Sequence, residues 1–298
     1  MRSLGLGLAL FLAGGLAHAQ PAPTAPDAAD ATRAMTPIVP SAVATFEDAV
    51  SLSADPTGRL YVVDAAAATI TVLDADGRQL ATHGGPGSGD YGFFEPADLD
   101  PTNGLALFVA DLGNQRVQRF ERDFRLVRSI PVEQPGEDGP IDRVEDVLVG
   151  DPRAVALSPT DDLHVIDARS RSVLTYDVDR TFERSIGGFR DPVDLAVTDD
   201  GTLVVADRGR SRLVVYDTYG FRLRRLDLAE PPVALAFARG RLLVTTARAV
   251  RVLDLDGVER AVYPIPLPDP DDALIGSALV DDHLFVLTAT ALYRYKRP

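Results

Sequence analysis

The chain has 298 residues, a formal net charge of −14 and no cysteine, and 46% of its residues are hydrophobic. The acidic surplus argues against nucleic-acid binding driven by phosphate contacts and against adsorption to anionic lipid. Without cysteine, neither a disulfide framework nor thiol redox chemistry is available, so stability must come from packing and hydrogen bonds.

The first residues have the pattern of a secretory signal peptide. Arg2 precedes an apolar run from Leu4 to Leu16, and Ala17-His18-Ala19 fits a small-residue cleavage site. The run is shorter than the roughly 20 residues that span a bilayer. We therefore predict a signal peptide over residues 1–19 with cleavage after Ala19, secretion or residence in the periplasm, and no membrane insertion.

Residues 20–36 are rich in alanine and proline and show no period, so a flexible linker is expected there. The remaining residues, 37–298, contain six similar segments, each with a strand-like run that ends at a marker position: Asp64, Asp111, Asp167, Asp207, Thr246 and Thr288. These markers lie 47, 56, 40, 39 and 42 residues apart. A period near 40 residues with strand composition is typical of propeller blades. The predicted fold class is therefore all-β, a single six-bladed β-propeller.

Prolines and glycines divide the segments at regular places. Pro96, Pro152 and Pro192 each stand 15 residues before their marker and open runs of small residues, as expected of inner strands near a crowded axis. The strings DADG, DTYG and DLDG, which begin at Asp74, Asp217 and Asp254, predict tight turns. They lack the distal glutamate of an EF-type calcium loop, so turns are favoured over calcium binding.

Two long segments, Phe94 to Val127 and Phe189 to Leu226, resemble the NHL repeat, and the resemblance extends with weaker copies from Phe46 to the C-terminus. The last copy ends at ALYRYKRP, which supplies a third strand but leaves no chain for a fourth. We therefore predict that residues 37–46 form the outer strand of the last blade and close the ring, since an exposed sheet edge would otherwise remain.

The resemblance implies that the loop between the second and third strands and the start of the inner strand share one face, called here the loop face. Candidate binding residues on this face are loop arginines and acidic residues at the inner-strand starts: Arg116, Arg169, Arg171, Arg208, Arg210, Arg212, Arg248, Asp48, Glu95, Asp151 and Asp191. These charges pair between neighbouring blades, form a patch that binds anions or carboxylates, or are solvated without a fixed partner. The marker aspartates recur once per blade, so they are predicted to cap backbone N–H groups of the following loop.

The leading hypothesis is a non-catalytic, monomeric binding scaffold without a cofactor, which recognises a protein, a peptide or an anionic small molecule on the loop face. The alternative is a metal-dependent lyase or lactonase-type hydrolase with its site in the central channel, as in several similar propellers. The lyases imply channel histidines, but only His83, His164 and His283 follow the predicted signal, each at a different blade position.

The lactonase pattern implies two asparagines beside a glutamate and an aspartate, whereas this chain has only Asn103 and Asn114. Asp98 and Asp194, on two of the predicted inner strands, are the candidate ligands of a divalent cation such as calcium under this alternative. The sequence thus makes catalysis the less favoured prediction.

Overall fold

The structure, a computed structural model, describes residues 42–101, 104–135, 147–269 and 271–296. The predicted signal peptide, the linker and residues 37–41 of the predicted closing strand lie outside these ranges. Six four-stranded antiparallel sheets and one two-stranded ribbon form the described part, which confirms the six-bladed β-propeller. None of the described residues belongs to a helix that is long and apolar enough to cross a membrane.

Each blade runs from an inner strand at the channel to an outer strand at the rim. The strands of blade 1 are Ala49–Ala54, Leu60–Asp64, Thr69–Leu73 and Gln79–Gly84. Those of blade 2 are Pro96–Asp100, Ala106–Asp111, Arg116–Glu121 and Leu126–Pro131. Those of blade 3 are Pro152–Leu157, Leu163–Asp167, Ser172–Tyr176 and Phe182–Ile186. The ribbon of Glu133–Pro135 and Val147–Val149 lies between blades 2 and 3 in the chain.

The second half of the chain repeats the arrangement. The strands of blade 4 are Pro192–Val197, Leu203–Asp207, Arg212–Tyr216 and Arg222–Asp227. Those of blade 5 are Ala234–Ala238, Arg241–Thr245, Ala249–Leu253 and Glu259–Pro264. Those of blade 6 are Gly276–Val280, His283–Leu287, Ala291–Lys296 and, at the outer position, Ala44–Thr45. Short 3-10 turns at Leu112–Asn114 and Arg208–Arg210 follow two of the second strands.

The hydrophobic core is divided among the blade interfaces. Six clusters of buried side chains are present in the described part, and each joins two neighbouring blades. Phe108 of blade 2 packs with Val165 of blade 3, and Leu60 of blade 1 packs with Phe285 of blade 6. Second strands such as Leu60–Asp64 are buried at every residue because a neighbouring blade covers each face. This explains their continuous apolar sequence.

The start of the described chain meets its end in blade 6. Ala44 and Thr45 pair antiparallel with Leu292 and Ala291, and the Val43 N–H donates to the Leu292 carbonyl at 2.8 Å. The inner strands of blades 6 and 1 also contact each other, so the blades form a ring. Residues 37–41, the remainder of the segment predicted to close the ring, are outside the described residues.

The predicted tight turns are present at the connections between third and outer strands. The Asp74 carboxylate accepts hydrogen bonds from the N–H groups of Asp76 and Arg78 at 2.9 and 2.8 Å, and Gly77 has a φ of +84°. The turns at Asp217 and Asp254 have the same side-chain cap and a glycine at the same φ. A left-handed residue is required at this position, which is why glycine occupies it.

Candidate functional site

The predicted loop face is formed by contacts between the second-to-third-strand loops and the inner-strand starts. The Arg208 N–H donates to the Asp191 carbonyl and the Ala168 N–H donates to the Asp151 carbonyl, both at 2.9 Å. The Ala65 N–H donates to the Asp48 carbonyl at the same distance. In blades 1, 3 and 4, the loop and the inner-strand start therefore lie at the same end of the propeller.

The marker aspartates are buried and structural, but they cap more than the loop that follows them. One Asp207 oxygen accepts the N–H groups of Arg190 and Asp191 at 3.1 and 3.0 Å, and both donors precede the inner strand. Asp167 caps in both directions, toward Asp151 N–H at 2.7 Å and Arg169 N–H at 3.1 Å. The prediction of a cap on the following loop was thus incomplete, because the second strand ends beside the entry of the inner strand.

Three of the predicted binding arginines are committed to the marker aspartates and to nearby carbonyl groups. Arg116 donates to Asp111 at 2.8 Å and to the carbonyls of Ser88, Gly89 and Gly92 at 3.1, 2.9 and 3.0 Å. It thereby holds the glycine-rich connection that leads into blade 2. Arg210 and Arg212 lie 3.1 and 3.4 Å from the Asp207 carboxylate, so their charge is compensated within blade 4.

The predicted pairing of acidic and basic residues is present, but mainly inside single blades. Arg169 pairs with Asp151 at 2.8 Å and Arg208 pairs with Asp191 at 2.7 Å, each within its own blade. Arg153 of blade 3 reaches Asp191 of blade 4 at 3.0 Å and forms a contact between blades. The expectation of pairing between neighbouring blades is therefore corrected: a loop arginine is nearest to the inner-strand start of its own sheet.

These guanidinium groups shift the titration of their partners. The hydrogen bond from Arg169 lowers the pKa of Asp151 below its usual value of 3.8. Burial alone would raise the pKa of Asp191, but Arg208 and Arg153 together lower it. Both carboxylates therefore stay ionised on the loop face.

The other predicted loop-face residues are exposed. Asp48, Glu95, Arg171 and Arg248 all lie at the surface, and Glu95 and Arg171 have φ values of +52° and +54°. The Arg248 carbonyl accepts the Ile265 N–H at 2.9 Å. All four predicted binding residues therefore lie at the surface of the propeller.

The central channel contains a cavity of about 680 Å³ lined by the inner strands of all six blades. Asp98 of blade 2 faces it and accepts hydrogen bonds from Ser51 Oγ of blade 1 at 2.6 Å and from Val155 N–H of blade 3 at 2.9 Å. Asp194 of blade 4 accepts from Leu235 N–H of blade 5 at 2.6 Å. The two carboxylates therefore connect inner strands of neighbouring blades.

Both channel carboxylates are harder to ionise than usual. Desolvation raises the pKa of Asp98 above 3.8. Desolvation also raises the pKa of Asp194, and the nearby negative charge of Asp98 raises it further. Among the described residues, neither carboxylate forms a salt bridge with an arginine, so neutral donors are their main compensation.

The donor set around Asp98 and Asp194 does not fit calcium. A calcium ion takes about six to eight oxygen ligands. The two carboxylates already accept hydrogen bonds from O–H or N–H groups; for example, Asp194 Oδ1 accepts the Leu195 N–H at 2.7 Å. Within the described ranges, no three histidine, aspartate or glutamate side chains are grouped closely enough to hold a metal ion. We therefore derive no chemistry from a metal at this position.

The three histidines of the described part, His83, His164 and His283, occupy different positions, as predicted, and none of them lines the channel cavity. His164 is buried in the second strand of blade 3, with Nδ1 3.0 Å from Thr175 Oγ1, and burial lowers its pKa to about 4. Asn114 donates to Asp111 at 2.8 Å on the loop face. Asn103 is outside the described residues.

The NHL repeat model matches residues 189–216, which contain the first three strands of blade 4. No curated protein matches the chain significantly. Among solved structures, inactive virginiamycin B lyase from Staphylococcus aureus with quinupristin has a TM-score of 0.62 and 9% identity, with coverage of 85% of this chain and 95% of the lyase.

Two further structures share the arrangement. A proposed gluconolactonase has a TM-score of 0.64 and 17% identity, with coverage of 86% of this chain and 91% of its own. A chain of the nidogen–laminin complex has a TM-score of 0.58 and 19% identity, with coverage of 74% and 81%. At these identities the likeness concerns the fold alone. The fold is that of a six-bladed β-propeller, and the sequence of blade 4 matches the NHL repeat.

Proposed function

We propose that this chain is a non-catalytic binding propeller that takes a small cationic ligand into its central channel. The observation that carries the proposal is the pair of channel carboxylates, Asp98 and Asp194, whose pKa values are raised inside a cavity of about 680 Å³. An ammonium group placed near both would offset their repulsion, and the attraction would be stronger here than in bulk water.

The hydrogen bonds of the carboxylates favour binding over catalysis. Each of the four oxygens accepts a donor: Ser51 Oγ and Val155 N–H for Asp98, and Leu195 N–H and Leu235 N–H for Asp194. A general acid or base must exchange a proton with substrate, which these fixed contacts oppose. A bound cation needs only the negative charge and a spare lone-pair direction.

Recognition of a protein, peptide or anion on the loop face remains a prediction. An anion there would compete with acceptors that the arginines already have, such as Asp191 for Arg208. We further propose that the chain is exported and monomeric. Export is tested by sequencing the N-terminus of the mature protein, which should begin at Gln20.

A channel-site lyase or hydrolase is the second candidate function. The raised pKa values of Asp98 and Asp194 favour it, because carboxyl groups with perturbed pKa values in a cavity are frequent in acid–base sites. Its test is turnover of a panel of lactones. Turnover that is lost in Asp98→Asn would support this candidate over simple binding.

The binding proposal is tested by calorimetric titration with putrescine and with butanediol, its uncharged analogue. We expect saturable binding of putrescine alone, weakened by about tenfold or more in Asp98→Asn because one of the two charges is removed. Asp256→Asn is the matched control, since Asp256 is 80% exposed on the outer edge of the propeller. Absence of putrescine binding, or equal binding by Asp98→Asn, would contradict the proposal.

A further inference from the structure

A second cavity, of about 240 Å³, lies between blades 1 and 2 and is separate from the channel. We propose that this aromatic crevice is a binding site for a flat, uncharged aromatic ring. Its walls are mostly rings, and the lining residues are Thr82, His83, Gly84, Tyr91, Phe93, Phe120 and Phe124.

The inner walls of the aromatic crevice are rigid. Phe93, Phe120 and Phe124 are buried in the core between the two blades. The Phe93 and Phe120 rings meet edge to face at 6.1 Å, and His83 stacks on Phe124 with centroids 3.8 Å apart and planes 9° apart. Walls fixed by core packing need little ordering when a ligand binds, so less of the binding free energy is lost.

Tyr91 forms the outer wall and is the exposed ring of the set. It is 58% exposed, and its centroid lies 6.4 Å from that of Phe120. A ring inserted beside Tyr91 would bury apolar surface on both partners, which is the main gain in aromatic recognition. Arg116 fixes the backbone beside Tyr91 through its hydrogen bond to the Gly92 carbonyl at 3.0 Å.

The sequence keeps the crevice free of a side chain at its edge. Gly84 has a φ of +96°, and a Cβ built there would lie 2.5 Å from the Phe93 ring. Any larger residue at this position would displace Phe93. The close approach of the Phe93 ring to the backbone of residue 84 therefore requires glycine.

The size and lining of the aromatic crevice define the ligand class. A cavity of about 150 Å³ accommodates benzene, so the larger crevice has room for a single ring or an indole. Phe120 and the His83–Phe124 stack line the crevice, so a bound ring would meet aromatic walls. No carboxylate lines the crevice among the described residues, so an uncharged ring fits better than an organic cation.

The chain has no tryptophan, so the fluorescence of N-acetyltryptophanamide can be followed in the presence of the whole protein without an indole background. We expect a saturable blue shift with the wild-type chain and binding about tenfold weaker with Tyr91→Ala. Tyr219→Ala is the matched control, because Tyr219 is a 75% exposed tyrosine in a turn of blade 4. Its binding should equal that of the wild type.

A second variant tests the space itself. Thr82 is exposed at the rim of the crevice, so Thr82→Phe should fill the cavity without disturbing the core and should abolish binding. Leu80→Phe, on the same outer strand but outside the crevice, should bind normally. An excess of putrescine should not displace the probe, which separates this site from the proposed channel site. The inference is overturned if wild type shows no saturable shift, or if Thr82→Phe or Tyr91→Ala binds as wild type does.

Discussion

The loop face and the central channel both collect carboxylates, but they compensate the negative charge in different ways. On the loop face, Asp151 and Asp191 are bonded to guanidinium groups that lower their pKa. In the channel, Asp98 and Asp194 have neutral donors, and their pKa values are raised. The comparison indicates that arginines of the protein itself compensate the loop-face carboxylates, whereas the channel carboxylates are held by neutral O–H and N–H donors.

The blades themselves differ in the same respect. In blade 4 the marker Asp207 is buried against two arginines, whereas in blade 5 the marker is Thr246, whose N–H and hydroxyl contact the Ala249 carbonyl at 2.9 and 3.2 Å. The loop of blade 5 is shorter and closes on itself. In blade 5 the nearby Arg251 is paired with Glu230 and Glu259 instead of with the marker residue.

Removal of the Asp207 carboxylate is expected to have the largest effect on stability. Asp207→Ala leaves the N–H groups of Arg190 and Asp191 and the guanidinium groups of Arg210 and Arg212 without their shared acceptor. We expect the free energy of unfolding to fall by about 3–5 kcal/mol. Urea unfolding followed by circular dichroism measures it.

Thr246→Ala provides the contrast at the equivalent position of blade 5. It removes a hydroxyl that contacts the Ala249 carbonyl and the Glu230 carboxylate, but it leaves no guanidinium group without an acceptor, so the expected loss is smaller, about 1–2 kcal/mol. Equal losses in Asp207→Ala and Thr246→Ala would show that the charged marker holds nothing that threonine does not. The assignment of Asp207 as the anchor of the loop face would then be wrong.

The difference between the loop face and the channel arises largely from contacts between residues that are far apart in the sequence. The spacing of the markers, together with Pro96, Pro152 and Pro192 at the first residues of inner strands, was sufficient to predict six blades and their inner edges. The turns at Asp74, Asp217 and Asp254 were also predictable, because their capping donors are two and four residues away.

The hydrogen bonds of the loop face and of the channel were harder to predict from the sequence. Arg116 was predicted as a ligand-binding residue, but its carbonyl partners lie 24 to 28 residues upstream. The bonds of Asp98 to Ser51 and Val155 span 47 and 57 residues and exist only because the blades are arranged in a ring. The regular positions of Asp98 and Asp194 within their repeats were the available signal. Their mutual effect on pKa depends on distances that a repeat pattern does not contain.

Neutralising one channel carboxylate is expected to have a smaller effect, of opposite sign at neutral pH. In Asp98→Asn the amide oxygen can accept the Val155 N–H, and the amide NH₂ can donate to Ser51 Oγ. Loss of the repulsion between Asp98 and Asp194 should raise the free energy of unfolding by about 1 kcal/mol near neutral pH. Urea unfolding at neutral and acidic pH measures the change.

The sign of the pH dependence follows from the raised pKa values. Between the ordinary value of 3.8 and the folded value, the native state binds more protons than the unfolded state, so stability falls as pH rises through this window. The gain in Asp98→Asn should therefore grow from acidic to neutral pH. Asp256→Asn, which changes an exposed carboxylate in a turn of blade 5, is the matched control. A gain of equal size at both pH values would contradict the raised pKa values.

The smallest expected effect concerns a single ion pair of the loop face. Arg208→Gln removes one of the two guanidinium groups bonded to Asp191, while Arg153 remains at 3.0 Å. Because the pair is partly exposed, we expect a loss of about 0.5 kcal/mol at low ionic strength and less in high salt. Urea unfolding at two salt concentrations measures it.

The pH dependence of Arg208→Gln distinguishes the loop face from the channel. The lowered pKa of Asp191 gives stability that is present above 3.8 and is lost as pH falls through the folded value. With Arg208 removed, the pKa of Asp191 should rise toward 3.8, so the variant loses less stability on acidification than wild type does. The difference in the free energy of unfolding between Arg208→Gln and wild type should therefore shrink at low pH, because the wild type loses the stabilisation from its ionised Asp191. The corresponding difference for Asp98→Asn should also shrink, because protonation relieves the repulsion in the wild type. If the two differences had the same sign at neutral pH, the loop-face and channel carboxylates would not be compensated differently.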